Sequence, residues 1–212
     1  MKKLLFLFFL CSNHIVNAQT QEEETYKQQG KEWNVEVNLD PFSANPINIS
    51  YLRIRRFTTA NIAHRLGISV SGETQKPNDD VKLSTVIINL RPGIEKHFNG
   101  TNRLSPYVGG ELDLAVKWSK RDVVNQGGQP LKGAWDQNGQ ERGYTRIGFN
   151  LITGMDVYIL KSLYLGTEIG YGFELLKNAD IEFSNGQQTI DGGSSLKFGP
   201  NFNSSIRLGY IF

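Results

Sequence analysis

Apolar and polar residues alternate along most of this chain, from Lys31 to the final residue, Phe212. A two-residue period places successive side chains on opposite faces of a β-strand, and no stretch has the 3.6-residue apolar stripe of an amphipathic helix. A phase change near Tyr51 and Leu52 predicts a β-bulge. The pattern predicts eight strands, at about 31–39, 46–57, 62–72, 83–98, 105–118, 144–159, 163–176 and 196–212.

The connections between these segments alternate in length, which predicts an antiparallel up-and-down meander with short turns at one end. The connection 40–45 is the exception, because it is short for its set. Most segments are longer than the five or six residues usual in soluble sheets. The short connections are 58–61, 99–104 and 160–162, and the longer ones are 73–82, 119–143 and 177–195.

Two kinds of eight-stranded barrel fit this alternation: a lipocalin-like barrel with an apolar interior, and an outer-membrane barrel with a polar interior. The polar face of the strands carries eight basic and seven acidic residues, close to electrical balance. Groups of both signs that share a narrow interior are expected to pair with one another. The fifteen residues are Glu36, Arg53, Arg55, Arg65, Arg91, Glu95, Glu111, Asp113, Lys117, Arg146, Asp156, Glu168, Glu174, Lys197 and Arg207.

Glycine decides between the two barrels, because it weakens a strand and has no use on a solvated outer face. Only Gly110 falls clearly on the apolar face. Inside a narrow barrel, glycine makes room for long Arg and Glu side chains, so the polar face is predicted to point inward. The glycines of the polar face are Gly67, Gly93, Gly109, Gly148, Gly154, Gly166, Gly170, Gly172, Gly199 and Gly209.

The prediction is therefore an all-β fold, an eight-stranded antiparallel up-and-down transmembrane β-barrel with a polar, side-chain-filled interior. We expect Arg91, Arg146 and Arg207 to bridge carboxylates such as Glu111 and Glu168. Aromatic residues support a membrane setting, because they fall in two groups about ten residues apart along the strands, as in the girdles of membrane barrels. The two groups are Trp33, Phe57, Phe98, Tyr210 and Phe212, and Trp118, Phe149, Tyr171, Phe173 and Phe202.

The N-terminus has the pattern of a secretory signal peptide, with Lys2 and Lys3 before the apolar run 4–10 and small residues before Gln19. Removal of residues 1–18 takes away two of the 23 basic residues and none of the 21 acidic ones, so the mature chain is neutral. It also removes Cys11, the only cysteine. The segment 19–30 is polar and aperiodic, which predicts a flexible, solvated periplasmic tail before a barrel over 31–212.

The chain resembles the small eight-stranded outer-membrane β-barrels of the OmpA/OmpX type over about 31–212. The resemblance rests on YLRIRRFTTANIAHRLGIS (51–69), RPGIEKHF (91–98), SPYVGGELDL (105–114) and SLYLGTEIGYGF (162–173). It implies residence in the outer membrane of a Gram-negative bacterium, contact with its lipid, and biogenesis through periplasmic chaperones and the β-barrel assembly machinery. The C-terminal residues that look like the family's assembly signal are Ile206, Leu208, Tyr210 and Phe212.

Residues that carry chemistry are sparse. The mature chain has two histidines, His64 and His97, without a cluster of carboxylates that would complete a metal site. No Ser–His–acid arrangement can be assembled from the sequence. We interpret Glu111, Asp113 and Glu168 as partners in ion pairs rather than as acid–base catalysts. The sequence thus predicts no catalytic residue, no cofactor and no metal, and its near-neutral charge gives no reason to expect nucleic acid binding.

Two function classes remain open from the sequence. The first is a structural or surface-interaction barrel that is not a general porin and meets an extracellular partner through the loops 119–143 and 177–195. The second is a membrane-embedded lipid-modifying enzyme or a secretion-accessory barrel of the PorT type. An even number of strands places both termini on one side, which predicts that the long loops face outward and the short turns face the periplasm.

Overall fold

A computed structural model of the protein describes residues 26–39, 47–124, 128–184, 188–201 and 206–212. The predicted signal peptide, the first part of the predicted tail, the connection 40–45 and Phe202 lie outside these residues. The strands are β1 (Trp33–Leu39), β2 (Ile47–Thr59), β3 (Ile62–Asn78), β4 (Val81–His97), β5 (Leu104–Val123), β6 (Leu131–Lys132), β7 (Tyr144–Leu160), β8 (Leu163–Asn178), β9 (Ile181–Phe183), β10 (Thr189–Ile190), β11 (Ser194–Asn201) and β12 (Ile206–Ile211).

The long strands form a closed antiparallel ring. The order β1–β2–β3–β4–β5–β7–β8 follows the chain, and β12 pairs with β8 on one side and with β1 on the other. Strand β11 also pairs with β8, so β11 and β12 together occupy the place of the predicted eighth strand. The predicted all-β, eight-stranded, up-and-down barrel is confirmed.

The predicted bulge in the second strand is present. Val37 of β1 pairs with Leu52, whereas the next residue, Asn38, pairs with Asn48, so extra residues of β2 stand between the two pairs. Each of the other strand predictions also corresponds to a strand of the ring, with ends that differ by a few residues.

The prediction of a long loop at 73–82 is wrong. Strands β3 and β4 continue through it and pair as far as Asn78 and Val81, and the side chain of Asn78 accepts hydrogen bonds from the backbone of Asp80 and Val81. Residues 71–79 are exposed on both faces of this hairpin, so the apolar alternation that identifies a strand is absent there.

A small three-stranded sheet, which we call the annex, stands at the end of the barrel that carries the long loops. Strand β6 pairs with the end of β5, β9 pairs with β6, and β10 pairs with β9. Ile181 and Phe183 of β9 join the second long loop to the first. The annex encloses a small apolar cluster of Leu131, Ala134, Ile181 and Phe183.

The outer face of the barrel is apolar, and the inner face is polar. Phe57 is a correction to the predicted aromatic girdle, because it has the same inward phase as Arg53 and Arg55 and is fully buried. The described residues contain no helix long and apolar enough to cross a membrane. The exposed aromatic residues are Trp33, Phe98, Tyr210 and Phe212 toward the short turns, and Trp118, Tyr171, Phe173 and Phe198 toward the long loops.

Candidate functional site in the barrel interior

The strand register explains how a narrow barrel holds so many long polar side chains. Inward-facing glycines stand between inward-facing large residues on the neighbouring strands: Gly93 lies opposite Arg65 and Glu111. Gly209 lies in the same way opposite Glu36 and Tyr164. A residue without a side chain therefore leaves the space that its neighbours occupy.

Tyrosine rings take more of this space than the sequence suggests. A Cβ atom on Gly209 would lie 2.5 Å from Cε2 of Tyr164, and one on Gly154 would lie 2.5 Å from the hydroxyl of Tyr107. A Cβ on Gly67 would lie 2.6 Å from Cζ of Tyr51. Gly67, Gly154 and Gly209 thus accommodate Tyr, whereas Gly93 and Gly166 accommodate the Arg side chains that we expected; among the described residues, Gly199 has no neighbour that a Cβ would meet.

Nine of the fifteen predicted interior charges form one continuous group, which we call the central cluster. Each member is at most 4% exposed. The formal charge is −1, because four arginines face five carboxylates. The central cluster consists of Glu36, Arg53, Arg55, Arg65, Glu95, Glu111, Asp156, Glu168 and Arg207.

Arg55 is fully enclosed. Its guanidinium lies 2.7 Å from Oε1 of Glu36, 2.9 Å from Oε2 of Glu95 and 2.8 Å from Oδ2 of Asp156. It also donates to the hydroxyl of Tyr164 at 2.6 Å. A single cation therefore ties together carboxylates from β1, β4 and β7.

Arg65 makes the second bridge. It contacts Glu95 at 2.8 Å, Glu111 at 3.0 Å and Glu168 at 2.7 Å. The predicted bridge between Glu111 and Glu168 thus exists, but Arg65 makes it. Of the three arginines predicted to bridge carboxylates, Arg207 does so with other partners, since it contacts Glu36 and Asp156 and lies 3.9 Å from Glu168.

Arg53 and Arg207 close the cluster along β1, β2 and β12. Both contact Oε2 of Glu36, at 3.1 and 2.9 Å. Arg53 also reaches Glu168 at 3.4 Å, and Arg207 reaches Asp156 at 3.4 Å. Every carboxylate of the cluster therefore has at least one arginine partner.

Two tyrosines add hydrogen bonds to the central cluster. The hydroxyl of Tyr164 donates to Glu36 at 2.7 Å, and that of Tyr107 donates to Glu168 at 2.7 Å and accepts from Arg207 at 2.6 Å. A hydroxyl can donate and accept at once, so each tyrosine links a carboxylate to a guanidinium. Neither tyrosine was predicted for the interior, because only charged residues and glycines were assigned to the polar face of the strands.

The other predicted charges lie nearer the long loops. Arg91 and Arg146 both pair with Asp113, at 3.1 and 3.2 Å, and are partly exposed. Lys117 pairs with Glu141 of the first long loop at 2.5 Å. Glu174 lies 3.8 Å from Arg146 and 3.7 Å from Lys197. Lys197 does not join the interior, since its side chain is 69% exposed at the rim.

At the end that carries the short turns, the chain before β1 folds back across the barrel. We call residues 26–32 the strap. Gln28 is buried, donates to the carbonyl of Ala60 at 3.2 Å and accepts from the hydroxyl of Tyr158. The described part of the predicted solvated tail is therefore packed against the barrel. The polar sequence does not predict this packing, because the partners of Gln28 lie on three hairpins that are far apart in the chain, at Ala60, Ser105 and Tyr158.

Beneath the strap, Ser105 and His97 lie side by side. Oγ of Ser105 is 2.9 Å from Nδ1 of His97, and Nε2 of His97 is 3.1 Å from Oε2 of Glu95. This arrangement is not among the predictions from the sequence. The signal was the inward phase that these residues share on either side of the 99–104 turn.

At the opposite end, the annex brings the two long loops together. The indole of Trp135 donates to the carbonyl of Ser84 at 3.1 Å, and Arg142 of the first loop donates to Ala179 and Ile190 of the second. No group of three or more metal-ligating side chains occurs among residues 26–39, 47–124, 128–184, 188–201 and 206–212.

Comparisons with known proteins give a fold but no family. No protein-family model matches the chain, and no curated protein matches it. The outer membrane protein OprG from Pseudomonas aeruginosa is similar in structure, with a TM-score of 0.51 and 11% identity over 89% of this chain and 99% of that chain. Acinetobacter baumannii CarO2 aligns over 88% of this chain and 100% of its own, at 10% identity and a TM-score of 0.33.

At this identity, the similarity to OprG shows a shared outer-membrane β-barrel fold, and the lower TM-score of CarO2 adds no argument. The narrower resemblance to the OmpA/OmpX type stays a prediction. The similarity concerns the backbone of the barrel, so the function has to be argued from the residues in and around it.

Proposed function

We propose that this protein is an integral barrel of a Gram-negative outer membrane that is closed to solutes and displays the annex at the cell surface. The central cluster carries this proposal. Eight strands enclose a space just wide enough for side chains, and here that space is crossed by paired charges, each at most 4% exposed. Such a lumen acts as a plug rather than as the aqueous channel of a general porin.

The outer face supports membrane residence. Its exposed apolar side chains include Val70, Leu90, Leu112, Leu151 and Ile169 on five consecutive strands of the ring. A surface of this kind is stable in lipid and would promote aggregation in water. The same proposal includes contact with outer-membrane lipid and export by the signal peptide 1–18. It also includes assembly through periplasmic chaperones and the β-barrel assembly machinery.

The annex supports an interaction role. Two loops that start 58 residues apart, at 119 and 177, are joined by strand pairing, an apolar cluster and two side-chain-to-backbone hydrogen bonds. Loops without a function need no common structure of this kind. We propose that the annex contacts an extracellular partner.

Phe212 is 66% exposed; its backbone pairs with that of Trp33, and its ring contacts only the neighbouring exposed ring of Tyr210 among the described residues, at 6.4 Å between centroids. Its side chain therefore contributes little to packing. This agrees with a role of Ile206, Leu208, Tyr210 and Phe212 in recognition by the assembly machinery.

The orientation can be tested with a site-specific protease. A cleavage sequence inserted after Gly139 should be cut when protease is added to intact cells, because we place this loop outside. The matched control is the same insertion after Gly100, in a short turn, which should be cut only after the outer membrane is opened. Cleavage of intact cells at Gly100 and protection at Gly139 would reverse the proposed orientation.

A further inference from the structure

The end of the barrel beneath the strap contains the parts of an ester-cleaving site. A serine hydroxyl, an imidazole and a carboxylate follow one another at 2.9 and 3.1 Å in Ser105, His97 and Glu95. A nucleophile within hydrogen-bond reach of a base, with the base oriented by a third group, is the arrangement that activates serine. It is recognised by geometry and not by position in the chain.

The partners of Glu95 determine which way the protons point. Arg55 and Arg65 contact its two oxygens at 2.9 and 2.8 Å, so Glu95 is a carboxylate that only accepts hydrogen bonds. Nε2 of His97 must therefore carry the proton that is donated to Glu95. In the neutral imidazole Nδ1 is then an acceptor, and the hydroxyl of Ser105 donates to it. This is the protonation that a general base needs before it takes the serine proton.

The central cluster favours the charge that this step creates. Its four arginines and five carboxylates leave one formal negative charge, and Glu95 is the member next to His97. A proton that moves to His97 makes the combined group neutral. The interior therefore opposes the formation of an imidazolium less than an apolar core would.

A cavity of about 440 Å³ opens beside the two residues. Its lining includes Ser105, His97, Phe98, Asn61 and residues of the strap, and this volume suits a small ligand. Ser105 and His97 are only 1% and 2% exposed, and the amide nitrogen of Gln28 lies 3.4 Å from Oγ of Ser105. Gln28 thus covers the hydroxyl from the side of the cavity.

We propose that Ser105 is a nucleophile for small carboxylic esters, with His97 as its general base, Glu95 as the residue that orients His97, and Gln28 as a cover. Oγ of Ser105 forms a bond to the carbonyl carbon while its proton moves to Nδ1 of His97. The bond from that carbon to the alcohol oxygen then breaks, and the same proton passes to the departing alcohol. Water, deprotonated by His97, releases the acid and restores Ser105. This activity goes beyond the closed-barrel function and does not depend on it.

The test is covalent labelling of the refolded mature protein in detergent with a fluorophosphonate, which loses fluoride to an activated serine. Peptide mapping should locate the label on Ser105, and Gln28→Ala should increase the labelling rate because it uncovers the hydroxyl. His97→Gln should slow labelling by about 100-fold or more, the usual contribution of a general base. The protein should also release p-nitrophenolate from p-nitrophenyl butyrate, and Ser105→Ala should not.

Ser119 provides the matched control. It is a buried hydroxyl of the same strand that pairs with Thr85 at 3.1 Å, so it should remain unlabelled, and Ser119→Ala should leave labelling of Ser105 unchanged. The different gel migration of heated and unheated samples verifies that each variant is folded. If His97→Gln does not fold, the test rests on the Gln28→Ala protein, in which the fluorophosphonate should label Ser105 and not Ser119. The proposal is overturned if Ser105 stays unlabelled in folded Gln28→Ala protein, or if His97→Gln leaves the labelling rate unchanged. Neither outcome would affect the orientation and conductance tests of the proposed function.

Discussion

Replacing Arg55 with Ala should lower the free energy of unfolding by about 3–5 kcal/mol, the usual cost of removing one partner from a buried ion pair. Arg55 contacts Glu36, Glu95 and Asp156 within 3 Å, and none of the three is exposed to water. Without the guanidinium, three carboxylates from three strands repel one another, and water cannot reach them to replace the lost positive charge. Urea unfolding of the refolded protein in lipid vesicles, followed by the heat-dependent gel shift, measures the loss.

The neighbouring residue offers the control for this experiment. Arg56 has the opposite phase, is exposed, and lies over the ring of Trp33 at 4.8 Å. Arg56→Ala removes the same side chain and should cost about 1 kcal/mol or less, as expected for an exposed cation–π contact. Equal losses for the two variants would show that the interior pairing does not hold the barrel together.

Gly209→Ala should be the second strongly destabilising change, with a loss of about 1–3 kcal/mol from overpacking. The new Cβ would lie 2.5 Å from Cε2 of Tyr164, so the ring has to move. Tyr164 cannot move freely, because its hydroxyl joins Glu36 to Arg55. The substitution therefore disturbs packing and the central cluster together.

Gly193→Ala is the matched variant. A Cβ at this position meets no atom within 4 Å, and the backbone there does not adopt a left-handed conformation. Its unfolding free energy should equal that of the wild type within experimental error. A stable Gly209→Ala protein would mean that the interior is less tightly packed than the register indicates.

The strands and their inward faces could be predicted from sequence because both depend on a local period of two. Glycine showed that the polar face points inward, since Gly93, Gly154 and Gly209 lie where a Cβ atom would collide with neighbouring atoms in a confined space. The hairpin around residues 71–79 could not be predicted from this period, because both of its faces are exposed and it has no apolar alternation.

The pairing of interior charges could not be predicted, because it depends on how strands that are far apart in sequence are staggered around the ring. Arg65 and Glu168 are separated by 103 residues and meet across the lumen. Tyr107 and Tyr164 were not predicted for the interior, because a side chain that combines a ring with a hydroxyl fits either face of a strand. The Ser105–His97 contact lies across a single turn, so it could have been predicted from the register of the two strands. The burial of Gln28 could not.

The most direct test of the closed interior is single-channel recording in planar lipid bilayers with the refolded mature protein. A sixteen-stranded porin reconstituted in the same way provides the reference for an open lumen. The central cluster predicts that the wild-type protein inserts without steady, porin-sized conductance. Steady conductance of porin size from wild-type protein that passes the heat-dependent gel test would show that the lumen is open and would contradict the proposed function.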